Sequence, residues 1–321
     1  MVIHNSARRR SVPVTGFLLA LGSAGCFALS GIFASALLSS GWSPGAAVTA
    51  RITFAALVLA IPTAIMLRGK WDRVRRAWGP LLLFGLLAIV ACQLAFFMAV
   101  QYIPPSLALL IEFLGPVMLV FWYWARTRVR PSGVTLLGAG IAVLGLAAVA
   151  GVATGATLHP LGVLLALVAA VGNASYFAAG ASSDHGIPPL PFVGLGLGIG
   201  AGALIIVSAT GFLPFAANLD PTTLFDTQVS PVLVVAGMVL ISTVISYVLG
   251  VAAARHLGAT MASFTGYSEP IFGILWTILL LAIAPSVMQW VGAALVIIGV
   301  VTVKLGELIS ARRLNSPAKD P

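Results

Sequence analysis

Charge is what this chain has least of. Only 8% of its 321 residues are Asp, Glu, Lys or Arg, and the acids number eight, while 60% are hydrophobic. A water-soluble domain carries about a quarter charged residues, so a soluble globule is excluded, and with it any ordinary soluble enzyme. Cysteine is nearly absent as well. Cys26 and Cys92 stand alone in apolar segments, with neither metal nor redox spacing, and read as small packing residues. The sequence has no phosphate-binding loop with its Lys-Ser/Thr ending, no His or Cys cluster, and no pair of membrane aspartates. ATP-driven pumping and intramembrane hydrolysis therefore lack the residues to carry them, and no metal or cofactor is expected.

What fills the chain is long apolar runs. Stretches of 18 or more such residues make helices that cross a hydrocarbon layer roughly 30 Å thick. Ten spans are expected, at about 14–38, 44–67, 79–101, 104–125, 133–152, 160–181, 189–212, 231–252, 258–282 and 285–303. The fold class is an all-α polytopic membrane protein.

The net charge of +9 points to orientation, not to nucleic acid, because the basic residues sit between the runs. With both termini cytoplasmic, one side receives Arg8 to Arg10, Arg68 to Arg76, Arg126 to Arg130, Arg255 and the C-terminal Lys304, Arg312, Arg313 and Lys319. Of the 17 basic residues only Arg51 then lies inside a span. A multi-pass protein of the cell or inner membrane, N-in and C-in, follows from this separation. Tails at 1–13 and 304–321 would be cytoplasmic, and "PFAANLDPTTLFDTQVS" at 214–230, with Asp220 and Asp226, would lie outside.

Three local patterns have plainer readings. Arg8 to Arg10 before "GSAGC" at Gly22 to Cys26 resembles a lipoprotein signal, but Ser23 stands where a large aliphatic belongs and the apolar run continues past Cys26. "GLGLGIGAG" at Gly194 to Gly202 lies inside a span with no strand before it, which marks close helix packing instead of a nucleotide loop. "NAS" at Asn173 to Ser175 matches a glycosylation acceptor but is buried in the sixth span.

The chain also repeats itself. At an offset of 154 residues, "CQLAFFMAVQYIPPSLALLIEFLGPV" (Cys92 to Val117) lies over "SYVLGVAAARHLGATMASFTGYSEPI" (Ser246 to Ile271). The same offset pairs Pro116 with Pro270, Pro131 with Pro285, Gly138 with Gly292 and Gly145 with Gly299. Two five-helix repeats are expected, at 14–152 and 160–303, and an odd number of spans per repeat inserts the second upside down. Inverted repeats are typical of secondary transporters, whose substrate site lies near the bilayer midplane between the halves.

Between Gly79 and Ala125 the only charged residue is Glu112, followed by Gly115 and Pro116, and the second repeat places Glu269 directly before Pro270. A proline removes the helical bond to the carbonyl four residues back, which belongs to Glu112 for Pro116 and to Gly266 for Pro270. Freed backbone at this depth must face protein or a water-filled cavity, and a buried ionisable group marks a path or a partner. Glu112, Glu269 and Arg51 are therefore the candidate substrate-binding or proton-coupling residues, with Gly115, Pro116, Gly266 and Pro270 as helix breaks. Arg51 and Glu112 fall at similar depth and are expected to be able to pair. Gln93, Asn173, Tyr176, Ser242, Ser246, Tyr247, Thr265 and Tyr267 are candidate lining residues, though singly such groups more often bond helices together.

The paired segments "SLALLIEFLGPV" and "ISTVISYVLGVAAARHLGATMASFTGYSEPI", with Arg51 in "TARITFAALVLA", resemble the drug/metabolite transporter superfamily, EamA-type, and within it the threonine and homoserine exporters. The likeness runs over about residues 14 to 305. It implies ten helices in two repeats around a central cavity, and export of amino acids or related small metabolites, with Glu112 before Gly115 and Pro116 and Glu269 before Pro270 as the residues carried over from its motifs. One departure stands out: "LLLAIAPS" at Leu279 to Ser286 lacks the Gly-Glu that commonly closes the ninth span. The resulting expectation is a secondary transporter, a proton-coupled exporter whose partners are the lipid bilayer, a small-molecule substrate and protons. An uptake or facilitative carrier of the same fold, or a non-transporting scaffold, are the alternatives. Substrate, direction and oligomeric state are not fixed by these residues.

Overall fold

The computed structural model describes residues 14–103, 105–149, 159–225, 227–281 and 284–315. Arg8 to Arg10, Asp226 and Lys319, all invoked above, lie outside them.

Among the described residues eight helices are long and apolar enough to cross a membrane. They are α1 (Val14–Ser39), α2 (Pro44–Leu67), α3 (Trp78–Ala99), α4 (Leu107–Thr127), α6 (Pro160–Ala181), α7 (Pro189–Ala209), α8 (Pro231–Leu257) and the apolar part, Val287–Gly306, of a last helix. The helix α5 (Gly133–Val149) is shorter. Where one ninth span was expected, two short helices follow each other, α9 (Ala259–Gly266) and α10 (Glu269–Leu281). The last helix, α11, continues through Asn315, well past the expected end near 303. Two elements outside the spans were not foreseen: a short helix Trp71–Arg76 and a hairpin of β1 (Thr222–Leu224) with β2 (Thr227–Val229).

The outer surface explains why so many apolar residues are tolerated. On α2, Phe54, Leu57, Val58, Ile61 and Ile65 are exposed at helical spacing, with Ile61 71% accessible, while Ile52, Ala55 and Leu59 on the other face are buried. A stripe of large aliphatic groups turned outward is at rest only in lipid.

The repeat recorded in the sequence is visible in the irregularities of the helices. The α4 helix breaks at Phe113 and Leu114, and 154 residues on the chain breaks again at Tyr267 and Ser268, between α9 and α10. Wide helical turns with i to i+5 bonding occupy Leu83–Ala91 of α3 and Leu240–Ile245 of α8, overlapping at the same offset. Such turns often mark functional sites in helices.

Contacts between the repeats obey the same symmetry. Phe113 and Tyr267 are counterparts and touch each other: the Tyr267 hydroxyl donates to the Phe113 carbonyl, and the rings meet edge to face at 5.9 Å. On α5 and α11, Gly138 lies against Gly299 and Gly145 against Gly292, and exchanging each glycine for its counterpart turns the first pair into the second. Cys92 of α3 donates to the Ala169 carbonyl of α6, as Ser246 of α8, its counterpart, donates to the Ser23 carbonyl of α1. These self-matching contacts lie about a two-fold axis that relates the halves. The feature shared by both halves is thus geometry and not side-chain identity, since Cys92 corresponds to Ser246 and Phe113 to Tyr267.

Candidate functional site

Around that axis lies a cavity of about 630 Å³, within the range of roughly 300–1,000 Å³ usual for small-molecule sites. Its walls come from α1 to α4, α6 and α8 to α10. Arg51, Glu112 and Glu269 all line it, as do Gln93, Asn173, Tyr176, Ser246, Tyr247, Gly266 and Pro270. Chain breaks put both carboxylates there. Glu112 ends the first half of α4, immediately before the break, and Glu269 begins α10, immediately after its own.

Each charged group is held differently. The Cys92 thiol, whose single proton is shared with the Ala169 carbonyl, lies 3.4 Å from Glu112 Oε1, and the Asn173 side chain lies beside the same carboxylate. Glu269 has no hydrogen-bonded partner for its carboxylate among the described residues and borders the open space. Arg51, only 5% accessible, donates from one terminal nitrogen to Ser30 Oγ at 2.9 Å, and its guanidinium sits 5.7 Å over the Phe27 ring. Its Nε and other terminal nitrogen have no hydrogen-bond partner among the described residues. The expected Arg51–Glu112 ion pair is therefore not formed: Ser30 and the Phe27 face position the guanidinium, while Cys92 and Asn173 hold the carboxylate. An unpaired donor edge of this kind is costly to bury.

Several expected lining residues are placed elsewhere. Thr265 is buried and returns its hydroxyl to the Met261 carbonyl one turn back. Tyr267 is fully buried at the two-fold axis on Phe113. Ser242 is also fully buried, in the wide turn of α8, and its hydroxyl has no partner among the described residues. Gly115 and Pro116 act through packing, because a methyl at Gly115 would meet the Ala170 carbonyl at 2.8 Å and Asn173 Oδ1 at 2.9 Å. That close approach seats α4 on α6 and brings Asn173 to Glu112.

Sequence reasoning missed the aromatic walls. Phe27, Phe96, Phe97 and Phe177 line the cavity with Tyr176 and Tyr247, whose rings pack edge to face at 5.4 Å. Cys92, first read as packing, bonds the key carboxylate. Aromatic residues in apolar helices give no signal of which way they face, so nothing in the sequence distinguished these from lipid-facing ones.

A carboxylate pair and an arginine inside an aromatic cavity, between two repeats, are the parts of a small-molecule carrier. The sequence profile of the EamA-like transporter family matches the chain twice, over residues 14–151 and 160–305. The chain belongs to that family. It is also 25% identical, over 234 residues, to the uncharacterized inner membrane transporter YicL of Salmonella typhimurium, covering 72% of this chain and 75% of that protein. A solved crystal structure has the same fold, with a TM-score of 0.73 at 19% identity, over 94% of this chain and 99% of the other. This EamA-family protein is thus a multi-pass membrane transporter built on two copies of one helical unit.

Proposed function

We propose that this protein is a proton-coupled secondary exporter of amino acids, threonine- or homoserine-like, or of related small metabolites, with N- and C-termini in the cytoplasm. The observation that carries the reading is the meeting of Glu112, Glu269 and Arg51 in one cavity. Opposite charges in one small site suit a zwitterion. The unpartnered Nε edge of Arg51 offers a carboxylate two donors side by side, and Glu269, without a hydrogen-bonded partner, is free to receive an ammonium group. Aromatic walls leave room for an apolar side chain. Glu112, held by Cys92 and Asn173 and without an ionic partner among the described residues, is the proton carrier in this reading, which leaves Glu269 for the substrate.

The test uses protein reconstituted in vesicles with an imposed pH difference and no membrane voltage. Accumulation of a labelled amino acid that follows the gradient and collapses with a protonophore supports the reading. Equilibration that ignores the gradient would make this a facilitative carrier of the same fold, and absence of any flux would leave the scaffold alternative.

A further inference from the structure

The two ends of the bundle are built from equivalent residues but packed differently. At the end that carries Arg255, Gly115–Thr127 of α4 packs on α9, burying Leu119, Val120, Ser263 and Phe264. The counterpart contact, between the first half of α4, up to Glu112, and α10, is replaced by a gap of about 290 Å³ whose lining includes Leu109, Leu110, Gly273 and Ile274. These four are the 154-residue counterparts of Ser263, Phe264, Leu119 and Val120. Likewise α6 packs on α8 at the Arg255 end, with Gly180 facing Val251. Between α1 and α6 the matching offset is 146 residues, the one that sets Ser23 against Ala169, so Gly180 corresponds to Ala34 while Val251 corresponds to Phe97 at 154. Ala34 and Phe97 both line the central cavity, which runs from Leu38 and Pro44 down to Ala253 and Ala262. One end is shut, and the same surfaces are open at the other.

Arg255 spans the shut end. From α8 it donates through Nε to the Gly180 carbonyl at 3.2 Å and through a terminal nitrogen to the Ile187 carbonyl, while its guanidinium covers the Phe192 ring of α7 at 5.3 Å. Its counterpart is Gln101, which is exposed and makes no side-chain hydrogen bond among the described residues. A second arginine behaves otherwise. Arg73 donates to the Gly186 carbonyl at 2.7 Å, but the opposite end has its own tie between the equivalent loops, Trp42 Nε1 to the Asn218 carbonyl at 2.9 Å and Ser43 to Ala216 at 2.8 Å. The ties made by Arg73 and by Trp42 balance. The one made by Arg255 does not.

We propose that Arg255 is a one-sided gate latch: it holds α8 on α6 and α7 and biases the carrier toward the state open at the Pro44 end. In the other state the repeats trade conformations, so that α9 leaves α4, Leu109 and Leu110 close on Gly273 and Ile274, and Arg255 lets go of both carbonyls. Breaks at Phe113–Leu114 and Tyr267–Ser268 are the places where the helices bend. This rests on the transporter reading but not on any substrate.

The experiment measures thiol labelling of purified protein in detergent, where both ends meet the same hydrophilic reagent. Peptide mass spectrometry separates the introduced cysteine from Cys26 and Cys92. Ser263→Cys reports the shut end and Ser35→Cys the open mouth, since Ser35 is exposed and lines the central cavity near Leu38. With Arg255 intact, Ser263→Cys should label slowly and Ser35→Cys fast. Adding Arg255→Gln should speed the Ser263→Cys reaction by about tenfold or more, as expected when a charge-assisted bond is lost from one of two states, without speeding Ser35→Cys. Arg255→Lys, able to reach one carbonyl, should fall between. Arg73→Gln should leave the ratio of the two rates unchanged. Equal rates with and without Arg255, a matching shift from Arg73→Gln, or faster labelling at both sites would each overturn the proposal.

Discussion

Gly145 offers the sharpest test of the two-fold packing. A methyl built there would sit 2.6 Å from the Val296 nitrogen and 2.7 Å from the Gly292 carbonyl oxygen. Both are backbone atoms of α11, so no side chain can swing aside and the two helices must separate. Overpacking of this kind costs about 1–3 kcal/mol, against a gain of about 0.5–1 kcal/mol from replacing glycine in a helix. Gly145→Ala should therefore be destabilising by about 1–2 kcal/mol. Five residues earlier on the same helix, Gly140 meets nothing within 4 Å, so Gly140→Ala keeps the helical gain alone and should be neutral or slightly stabilising. Thermal aggregation of the detergent-solubilised protein, followed by size-exclusion chromatography, reads the difference directly. Gly138→Ala, 2.5 Å from the Val303 nitrogen, should behave like Gly145→Ala. Equal midpoints for Gly145→Ala and Gly140→Ala would show that α5 and α11 do not pack as described.

Glu112→Gln keeps shape and most hydrogen bonding but cannot release a proton, so insertion should be normal and accumulation driven by a pH difference should vanish; wild-type accumulation across the pH range would make Glu112 structural and move the coupling role to Glu269. Glu269→Gln should instead raise the substrate concentration needed for half-maximal flux, and unchanged affinity would remove it from the ammonium site. A cysteine at Thr222 should react with an impermeant thiol reagent applied outside the cell and one at Arg73 should not, with the opposite labelling reversing the orientation. His185, in the loop between α6 and α7, is held below its usual pKa by burial and then by Arg255. Its contribution to stability is complete above about pH 6.5 and is lost as the pH falls from there through the lowered folded value, because protonation also breaks the bond from the Ile187 N–H to Nδ1. A thermal scan against pH should show that loss in wild type and less of it in His185→Gln.

The spans were legible because lipid imposes a strong rule on length and polarity, and the repeat because prolines and glycines mark backbone events that side-chain drift does not erase. Gly138 and Gly145 aligned with Gly292 and Gly299 in the sequence, and they prove to be the points where α5 and α11 touch. The broken helices were legible in part: Pro116 and Pro270 announced them, and the chain departs from helix two to three residues before each proline. The hairpin at Thr222–Val229 was not, since three-residue strands in a polar loop leave no periodic pattern. Within the site, Arg51, Glu112 and Glu269 were visible because charge in an apolar span is rare. Their partners were not, because pairing depends on helix rotation, which composition does not encode: Arg51 turned to Ser30 and Phe27, not to Glu112.

The two carboxylates look like repeat mates in the sequence, each just ahead of a proline, yet they are not. At the offset that matches Phe113 to Tyr267, Glu112 falls on Gly266 and Glu269 on Gly115. Each acid in one half corresponds to a glycine in the other. At Gly115 the missing side chain is what lets the opposite helix come close: a methyl built there would sit 2.8 Å from the Ala170 carbonyl of α6, so an acid side chain would have no room. The repeat therefore supplies two equivalent hinges, one acid before the first and one after the second, and a cavity whose chemistry is lopsided although its scaffold is symmetric. A symmetric scaffold can open to either side. An asymmetric set of charges, with Arg51 from α2 alone, can hold a substrate that has two different ends.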